Sequence, residues 1–513
     1  MHKNSGGRAG HAFRAGVVAC VWATGACAHA QAGGDAGAAA AAGPALLSPD
    51  DAGLREDLAW LVDRRVLSLP LGTWPLPAVI VESALAEARR REWPAIDADA
   101  LARVERAVAR QIAPVTAGLR VNSARHPALD GDRAAGGLAD ASLGLRAHGE
   151  RWSLRLQLNA HAHSLSTPTQ RGSLSGSYVA VALRSTILSF GAVDRWWGPG
   201  RYTNPILSNA AQPFPALTLR RARDDAPASR WLGWIGPWGY EFSLGQLLDY
   251  EPARTRTVGL RLYTRPLAGL EVGLSRHIQW GGRGRPHGLS ALRDALFGNS
   301  NIADPDLRES DDPSNELAGF DVRLSHVDSS GRAWVGHVQA IGEDEAHRLP
   351  SRYILTTGLQ LKHPWRNGRL EWSAEGTDTM NRRLLVRQTR DDAQPAYTHG
   401  TYTDGYYHQG LPIGAHIGGG GRIVSAGVLW VPPCGGPCRR WRLSVFGAQV
   451  SQTGREPVNA SFGERGNVGG LALRMDTQAA EADWYVGLSL QHYPAGPRAS
   501  AGLQFGIEVP LQR

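Results

Sequence analysis

From Val115 onward the chain alternates apolar and polar residues with a period of two. Trp152-Ser153-Leu154-Arg155-Leu156-Gln157-Leu158 does so without a break, and Val258–Tyr263 and Leu270–Ser275 repeat it across a turn containing Pro266. Further runs lie at Ala318–Ser325, Ala333–Ile341, Ile354–Leu361, Leu370–Glu375, Ile423–Trp430, Trp441–Val450, Gly469–Asp476, Trp484–Gln491 and Ala501–Val509. Successive side chains of a strand point to opposite faces, so each run predicts a strand with one apolar face. Short turns such as Arg366-Asn367-Gly368 and Ser329-Ser330-Gly331 join some of them, and long polar loops join others.

Upstream the period is helical. Ser48-Pro49-Asp50-Asp51 reads as a helix start, and Leu54, Leu58, Leu61 and Val62 follow at helical spacing. The stretch Leu67–Pro77, with Pro70, Pro75 and Pro77, interrupts it. Val79–Arg91 and Asp97–Ile112 predict two more amphipathic helices. A helical unit of about 65 residues is marginal alone and is expected to dock against something larger. Residues 31–47 are rich in Ala and Gly and are expected to be a flexible linker.

The first residues set the compartment. Lys3, Arg8 and Arg14 precede an apolar, small-residue run over 15–28, followed by Ala28-His29-Ala30 and Ala30-Gln31-Ala32. This predicts a secretory signal over residues 1–30. The alternative is a lipoprotein signal ending at Cys27, which lacks the expected Leu three residues before the Cys. The expected organisation is therefore signal 1–30, linker 31–47, helical unit 48–114 and one long sheet over 115–513.

At about 22 residues per strand and connection, residues 115–513 hold about 18 strands, an even number that suits an exported barrel. A sandwich would show the same alternation, but one sandwich domain takes about 100 residues, and no linker divides 115–513. The fold predicted is an all-β transmembrane barrel of about 18 antiparallel strands with a small N-terminal α-helical unit. The closing Val509-Pro510-Leu511-Gln512-Arg513 carries no aromatic residue, and Phe505 is expected to stand in for one.

Composition sharpens this picture. No run of about 18 apolar residues follows residue 30, which excludes a helical membrane protein. The 62 glycines of 513 residues are about 12%, against the usual ~7%, and suit tight turns and strands. The formal charge of +8 falls to about +5 without the signal and is carried almost wholly by arginine, since Lys3 and Lys362 are the only lysines. The arginines are scattered among acids, so no nucleic-acid partner is expected. Cys434 and Cys438 flank Gly435-Gly436-Pro437 between two strand-like runs, and an exported chain would join them as a disulfide pinning that turn. A redox or zinc site is the alternative, but two cysteines without a nearby His make half a metal site.

Candidate chemistry concentrates in 188–240, with Trp280 beyond it. Asp194-Arg195-Trp196-Trp197-Gly198-Pro199-Gly200 leads to Asn209, and Trp231, Trp234, Trp238 and Trp280 follow. Sugars offer flat C–H faces to aromatic rings and hydroxyls to Asp, Asn and Arg, so these residues could bind glycan. Trp231, Trp234 and Trp238 could equally form an interfacial girdle, and Trp196-Trp197 could lock structure inside the barrel. Tyr402, Asp404 and Tyr406 lie in another polar-aromatic segment, which reads as a binding loop or as part of that girdle. The glycan-binding candidates are thus Asp194, Arg195, Trp196, Trp197, Asn209, Trp280, Tyr402, Asp404 and Tyr406. Acids cluster at Asp304, Asp306, Glu309, Asp311 and Asp312 and at Glu343-Asp344-Glu345, as a glycosidase pair or a calcium site would require. Neither an EF-hand spacing nor a nucleophile elbow, H-E-x-x-H or P-loop supports them. No catalytic residue, metal or cofactor is expected.

These segments resemble the capsule-assembly Wzi family of outer-membrane proteins. The resemblance rests on Asp194–Gly200, Ile206–Asn209, Pro213–Leu217, Gln279–Gly282, Asn315–Asp321, Gln339–Glu345, Leu349–Tyr353 and Tyr402–Tyr406, with Leu71–Pro77 upstream, in order over about residues 50–430. It implies an 18-stranded barrel whose helical unit plugs the periplasmic end. It also implies a lectin-like role: retaining capsular or other exported polysaccharide at the cell surface, without catalysis. The partners it implies are that polysaccharide, outer-membrane lipid and the barrel-assembly machinery, around a monomer. A porin-like conduit and an outer-membrane glycan- or lipid-acting hydrolase are the alternatives.

Overall fold

The computed structural model describes residues 43–123, 129, 131–132, 137–164, 169–296, 314–343, 345–346, 349–350, 352–382, 396–450, 466–479, 482–493 and 499–511. The expected signal at 1–30 and the acids between 304 and 312 lie outside the described residues.

Eighteen antiparallel strands form one closed barrel. The first, Val115–Asn122, pairs with the last, Ser500–Pro510, through registers such as Glu508↔Gly118, and this pairing removes the free edges. Each predicted late run lies inside an observed strand, for example Ile354–Leu361 within Tyr353–Trp365 and Trp441–Val450 within Cys438–Val450.

The alternation runs the opposite way from a sandwich. In the strand Trp152–Ser164, Leu154, Leu156 and Leu158 are exposed outside while Ser153 and Gln157 are buried inside. Leu260 and Leu262 likewise face out and flank the fully buried Arg261. An apolar exterior around a charged interior suits a wall in lipid and not a core shielded from water. Trp152 and Trp334 add exposed aromatic surface beside two of the short turns.

One end of the barrel carries short connections, such as 150–151, 184–185, 268–269 and 366–367, and the other carries long ones. Cys434 and Cys438 are joined by a disulfide across the 432–437 turn, at the short-turn end.

The helical unit comprises α1 (Ala52–Asp63), α2 (Ala78–Ala88) and α3 (Ala95–Ile112). Asp51 caps α1 by accepting from the Leu54 N–H at 2.8 Å, where the sequence predicted a start. Leu54, Leu58, Leu61, Val81, Leu85, Ala100, Val104 and Val108 form the unit's own buried core. The linker expectation needs correction at its end. Leu46–Leu47 is buried and pairs with Leu76–Pro77, because two adjacent leucines find apolar cover there.

The unit sits at the short-turn end. Arg64 donates to the Gly331 carbonyl at 2.6 Å, Arg65 to the Ser325 carbonyl at 2.7 Å, and Cys434 N–H to Asp99 at 3.3 Å. Arg110 pairs with Asp483 at 2.6 Å. From the long-loop end, segments 192–215 and 396–420 fold into the barrel. Trp197, Ile206, Phe214, Tyr397, Tyr402 and Ile413 pack there against wall residues Leu317, Ile341 and Ile423.

Candidate functional site

Three parts meet inside the barrel: the helical unit, the inward segments and the wall. Trp196–Trp197 pairs with Thr73–Trp74 in a two-stranded sheet, and the Gly198 N–H donates to the Gly72 carbonyl at 2.9 Å. The wall holds the Leu71-Gly72 backbone from two sides. Glu271 accepts from the Leu71 and Gly72 N–H groups at 2.8 and 2.9 Å, and Arg261 donates to the Gly72 carbonyl at 2.9 Å. Arg261 is itself fixed by an ion pair to Asp321. Gly198 is required by its left-handed φ of 135°, and a Cβ there would meet Asn204 and Gln339 oxygens at 2.4 Å. The loop after it is caught by Glu375, which accepts from the N–H groups of Arg201, Tyr202 and Thr203 at 2.6, 3.1 and 3.1 Å.

Charge makes the second lock. Glu56, Asp57 and Asp63, all on α1, face wall cations. Glu56 meets Arg442 at 2.8 Å and Asp57 meets Arg369 at 2.7 Å. Asp63 meets Arg323 at 2.7 Å and Lys362 at 2.8 Å. Burial pushes the Asp57 carboxyl up, but Arg103, Arg440 and Arg369 override it and hold it below the usual carboxylate range. Glu56 behaves alike under Arg442 and Arg201. These groups stay ionised because opposite charges are built around them.

The sequence-predicted glycan residues divide sharply. Asp194, Arg195, Trp196, Trp197, Asn209, Trp280, Tyr402 and Tyr406 are all buried, so none presents a stacking face or free edge to a polymer outside. Arg195 is spent on Glu241 at 3.1 Å and Thr218 at 2.8 Å. Asp194 lines a polar chamber of about 120 Å³ with His161 and Asn159. Asn209 donates to Asp50 at 3.3 Å. The Tyr406 hydroxyl donates to the Ile206 carbonyl at 2.7 Å, and burial raises its pKa well above the ordinary value. Tyr402 donates to the Gly281 carbonyl at 3.4 Å, and Trp280 lies under the Arg256 guanidinium at 5.2 Å.

Asp404 alone of the nine stays exposed, accepting from the Glu251 N–H at 2.7 Å. It stands on the long-loop end beside exposed Thr403, Glu251 and Arg254. Tyr250 fixes this rim by donating to the Gly405 carbonyl at 2.6 Å. The tryptophan cluster separates as well. Trp231 and Trp234, 83% and 73% exposed, belong to the turn at the opposite end, far from Trp280 in the barrel. Glu343 is also structural, accepting from the Tyr397 N–H at 2.6 Å.

Sequence reading missed the charged interior. Asp57 stands in the apolar stripe of Leu54, Leu58 and Leu61, which was the available signal of a buried partner. The wall arginines gave none, because a period of two marks an inward face without saying whether water or protein fills it.

The model of the family Capsule assembly protein Wzi matches residues 126–494. The chain belongs to this family. A Klebsiella pneumoniae relative, an uncharacterized 55.8 kDa protein in the cps region, is 32% identical over 472 residues, spanning 90% of this chain and 89% of that one. Among solved structures, Escherichia coli Wzi matches with a TM-score of 0.78 at 29% identity, covering 91% of this chain and 100% of its own. That protein is an outer membrane protein involved in group 1 capsule assembly and a carbohydrate-binding β-barrel. As a Wzi-family barrel this chain resides in the outer membrane. Its short-turn end then faces the periplasm and its long-loop end the cell surface, the usual sense for such barrels.

Proposed function

We propose that this protein binds capsular or other exported polysaccharide at the cell surface and retains it there non-covalently, without turnover. The observation that carries the reading is the likeness, over nine-tenths of the chain, to a carbohydrate-binding barrel of capsule assembly. The filled interior supports it against a conduit. The helical unit occupies the barrel from one end, and segments 192–215 and 396–420 occupy it from the other. Polysaccharide is then met on the outer surface, where Asp404, Thr403, Glu251 and Arg254 offer hydroxyl-binding groups. Asp194, Arg195, Trp196, Trp197, Asn209, Trp280, Tyr402 and Tyr406 serve this indirectly, by holding the rim in shape. The barrel works as a monomer, with its Leu, Val and Phe exterior in outer-membrane lipid, after insertion by the barrel-assembly machinery.

Two measurements test the proposal. Purified protein on a glycan surface should bind polysaccharide from the producing strain and leave its chain length unchanged. Steady large-conductance channels in planar bilayers would favour the conduit, and shortening of the polymer would favour a hydrolase.

A further inference from the structure

On the outer wall, the strands Ser314–Val327, Ala333–Gly342, Tyr353–Trp365 and Gly368–Arg382 share an apolar groove of about 780 Å³. The alternation explains its shape. Leu324, Gly336, Leu359 and Ala374 stand side by side on the outward face, in the registers Leu324↔Gly336, Gly336↔Leu359 and Leu359↔Ala374. Leu324 and Leu359, 56% and 69% exposed, rise on either side of Gly336, which has no side chain. The next row toward the short turns is Trp334, Leu361 and Trp372, whose two half-exposed indoles bound the groove at that end.

A basic rim lies just beyond. Arg332 is exposed on the turn beside Trp334, and Arg366 on the turn beside Trp365, with its Cζ 4.6 Å from that ring. His326, also exposed, pairs across from Trp334. Asp328, the acid of the first turn, accepts from the Ser330 hydroxyl at 2.6 Å and from the Trp334 indole at 3.3 Å, which fixes Trp334 as an end wall. Tryptophan sits at headgroup depth, and arginine at that depth attracts anionic lipid. Because the short-turn end faces the periplasm, the groove lies in the periplasmic leaflet, which is phospholipid.

We propose that this groove binds one anionic phospholipid, with an acyl chain over Gly336 and Ala374 and the phosphate at Arg332 and Arg366. A second barrel fits it poorly, since two convex walls meet along a line and leave a trough between raised leucines unfilled. A flexible acyl chain fills the trough and gains the dispersion contacts that an empty one forfeits. Arginine forks match the phosphate in shape as well as charge.

The test uses the whole protein in lipid nanodiscs without polysaccharide, so its outcome is independent of the retention reading. Phosphatidylglycerol and phosphatidylcholine in equal parts are the probes, and native mass spectrometry counts the lipid kept after release from the disc. One phosphatidylglycerol per barrel is expected to remain. Gly336→Leu should lose it, because a Cβ there meets only Leu359 Cδ2, at 3.6 Å, and the longer side chain fills the groove without forcing the backbone. Arg332→Gln combined with Arg366→Gln should keep a lipid and lose the preference for phosphatidylglycerol. A bare barrel, equal retention of the two lipids by the unaltered protein, or undiminished retention in Gly336→Leu would overturn the proposal. So would a preference that survives loss of both arginines, or a dimer that Gly336→Leu separates, since a second copy would then be the occupant. Should Gly336→Leu fail to fold, Ala374→Leu, on the exposed outward face, makes the same test.

Discussion

Replacing Asp57 by Asn should loosen the helical unit from the barrel. Asp57 is 1% exposed and faces Arg103 at 3.0 Å, Arg369 at 2.7 Å and Arg440. Two of these cations belong to the wall and one to α3, so a single carboxylate ties α1 to both. Asn keeps the shape and removes the charge, leaving Arg103 and Arg440 without that buried carboxylate and Arg369 with Glu371 alone. Breaking a buried ion pair by removing one partner costs about 3–5 kcal/mol. At about 1.4 kcal/mol per tenfold, the undocked population should rise by roughly two to four orders of magnitude. Limited proteolysis from the periplasmic side reads this as faster cleavage within residues 48–114 while the barrel stays intact. Planar bilayers should show brief openings that the unaltered protein lacks. Unchanged protease resistance and unchanged closure in a correctly folded Asp57→Asn barrel would refute the claim that buried charge holds the unit in place.

Trp197→Ala should destabilise the folded protein by about 3–5 kcal/mol, because a fully buried indole leaves a cavity. Thermal melting checks this, and the fraction that folds should still bind polysaccharide, since the ring does not reach the surface. Asp404→Ala should weaken polysaccharide binding on a glycan surface while shifting Tm little, since the side chain is exposed and its hydrogen bond from the Glu251 N–H lies at the rim. Burial, helped by the Arg55 charge, lowers the His416 pKa from 6.5 to about 4. Neutral His416 fits the fold, so its contribution is complete above about pH 6.5 and is lost as pH falls toward 4, at a cost of about 3 kcal/mol. Protease sensitivity of segment 396–420 should rise over that window and become flatter in His416→Gln.

The wall was legible because its signal is local. Period two names the strands, the short turns name one end, and length gives the strand number. The same signal is silent about what faces inward. Arg261, Arg369 and Arg442 read as polar positions of a half-buried strand, and only the three-dimensional closure shows that protein, not water, meets them. The aromatic segments misled for a related reason. Trp196-Trp197 and Tyr402–Tyr406 carry the composition of a sugar-binding loop, but the same rings with polar handles also fill a barrel and bond its backbone, as Tyr406 does with Ile206. Which use they serve depends on whether the loop turns inward, and that is set by distant partners such as Gly72, Glu271 and Glu375. Trp231 and Trp234 lie near the others in sequence yet at the opposite end of the barrel, since each strand crossing reverses ends.

The central claim is retention of polysaccharide by a closed barrel. It is tested most directly by deleting the gene in the producing strain and measuring cell-associated and shed polysaccharide separately, with the intact gene restored as control. Total polysaccharide should be maintained, its balance should move from the cell surface to the medium, and restoration should reverse this. An unchanged balance would rule out retention, and so would loss of polysaccharide from both fractions, which would make the protein part of synthesis or export instead.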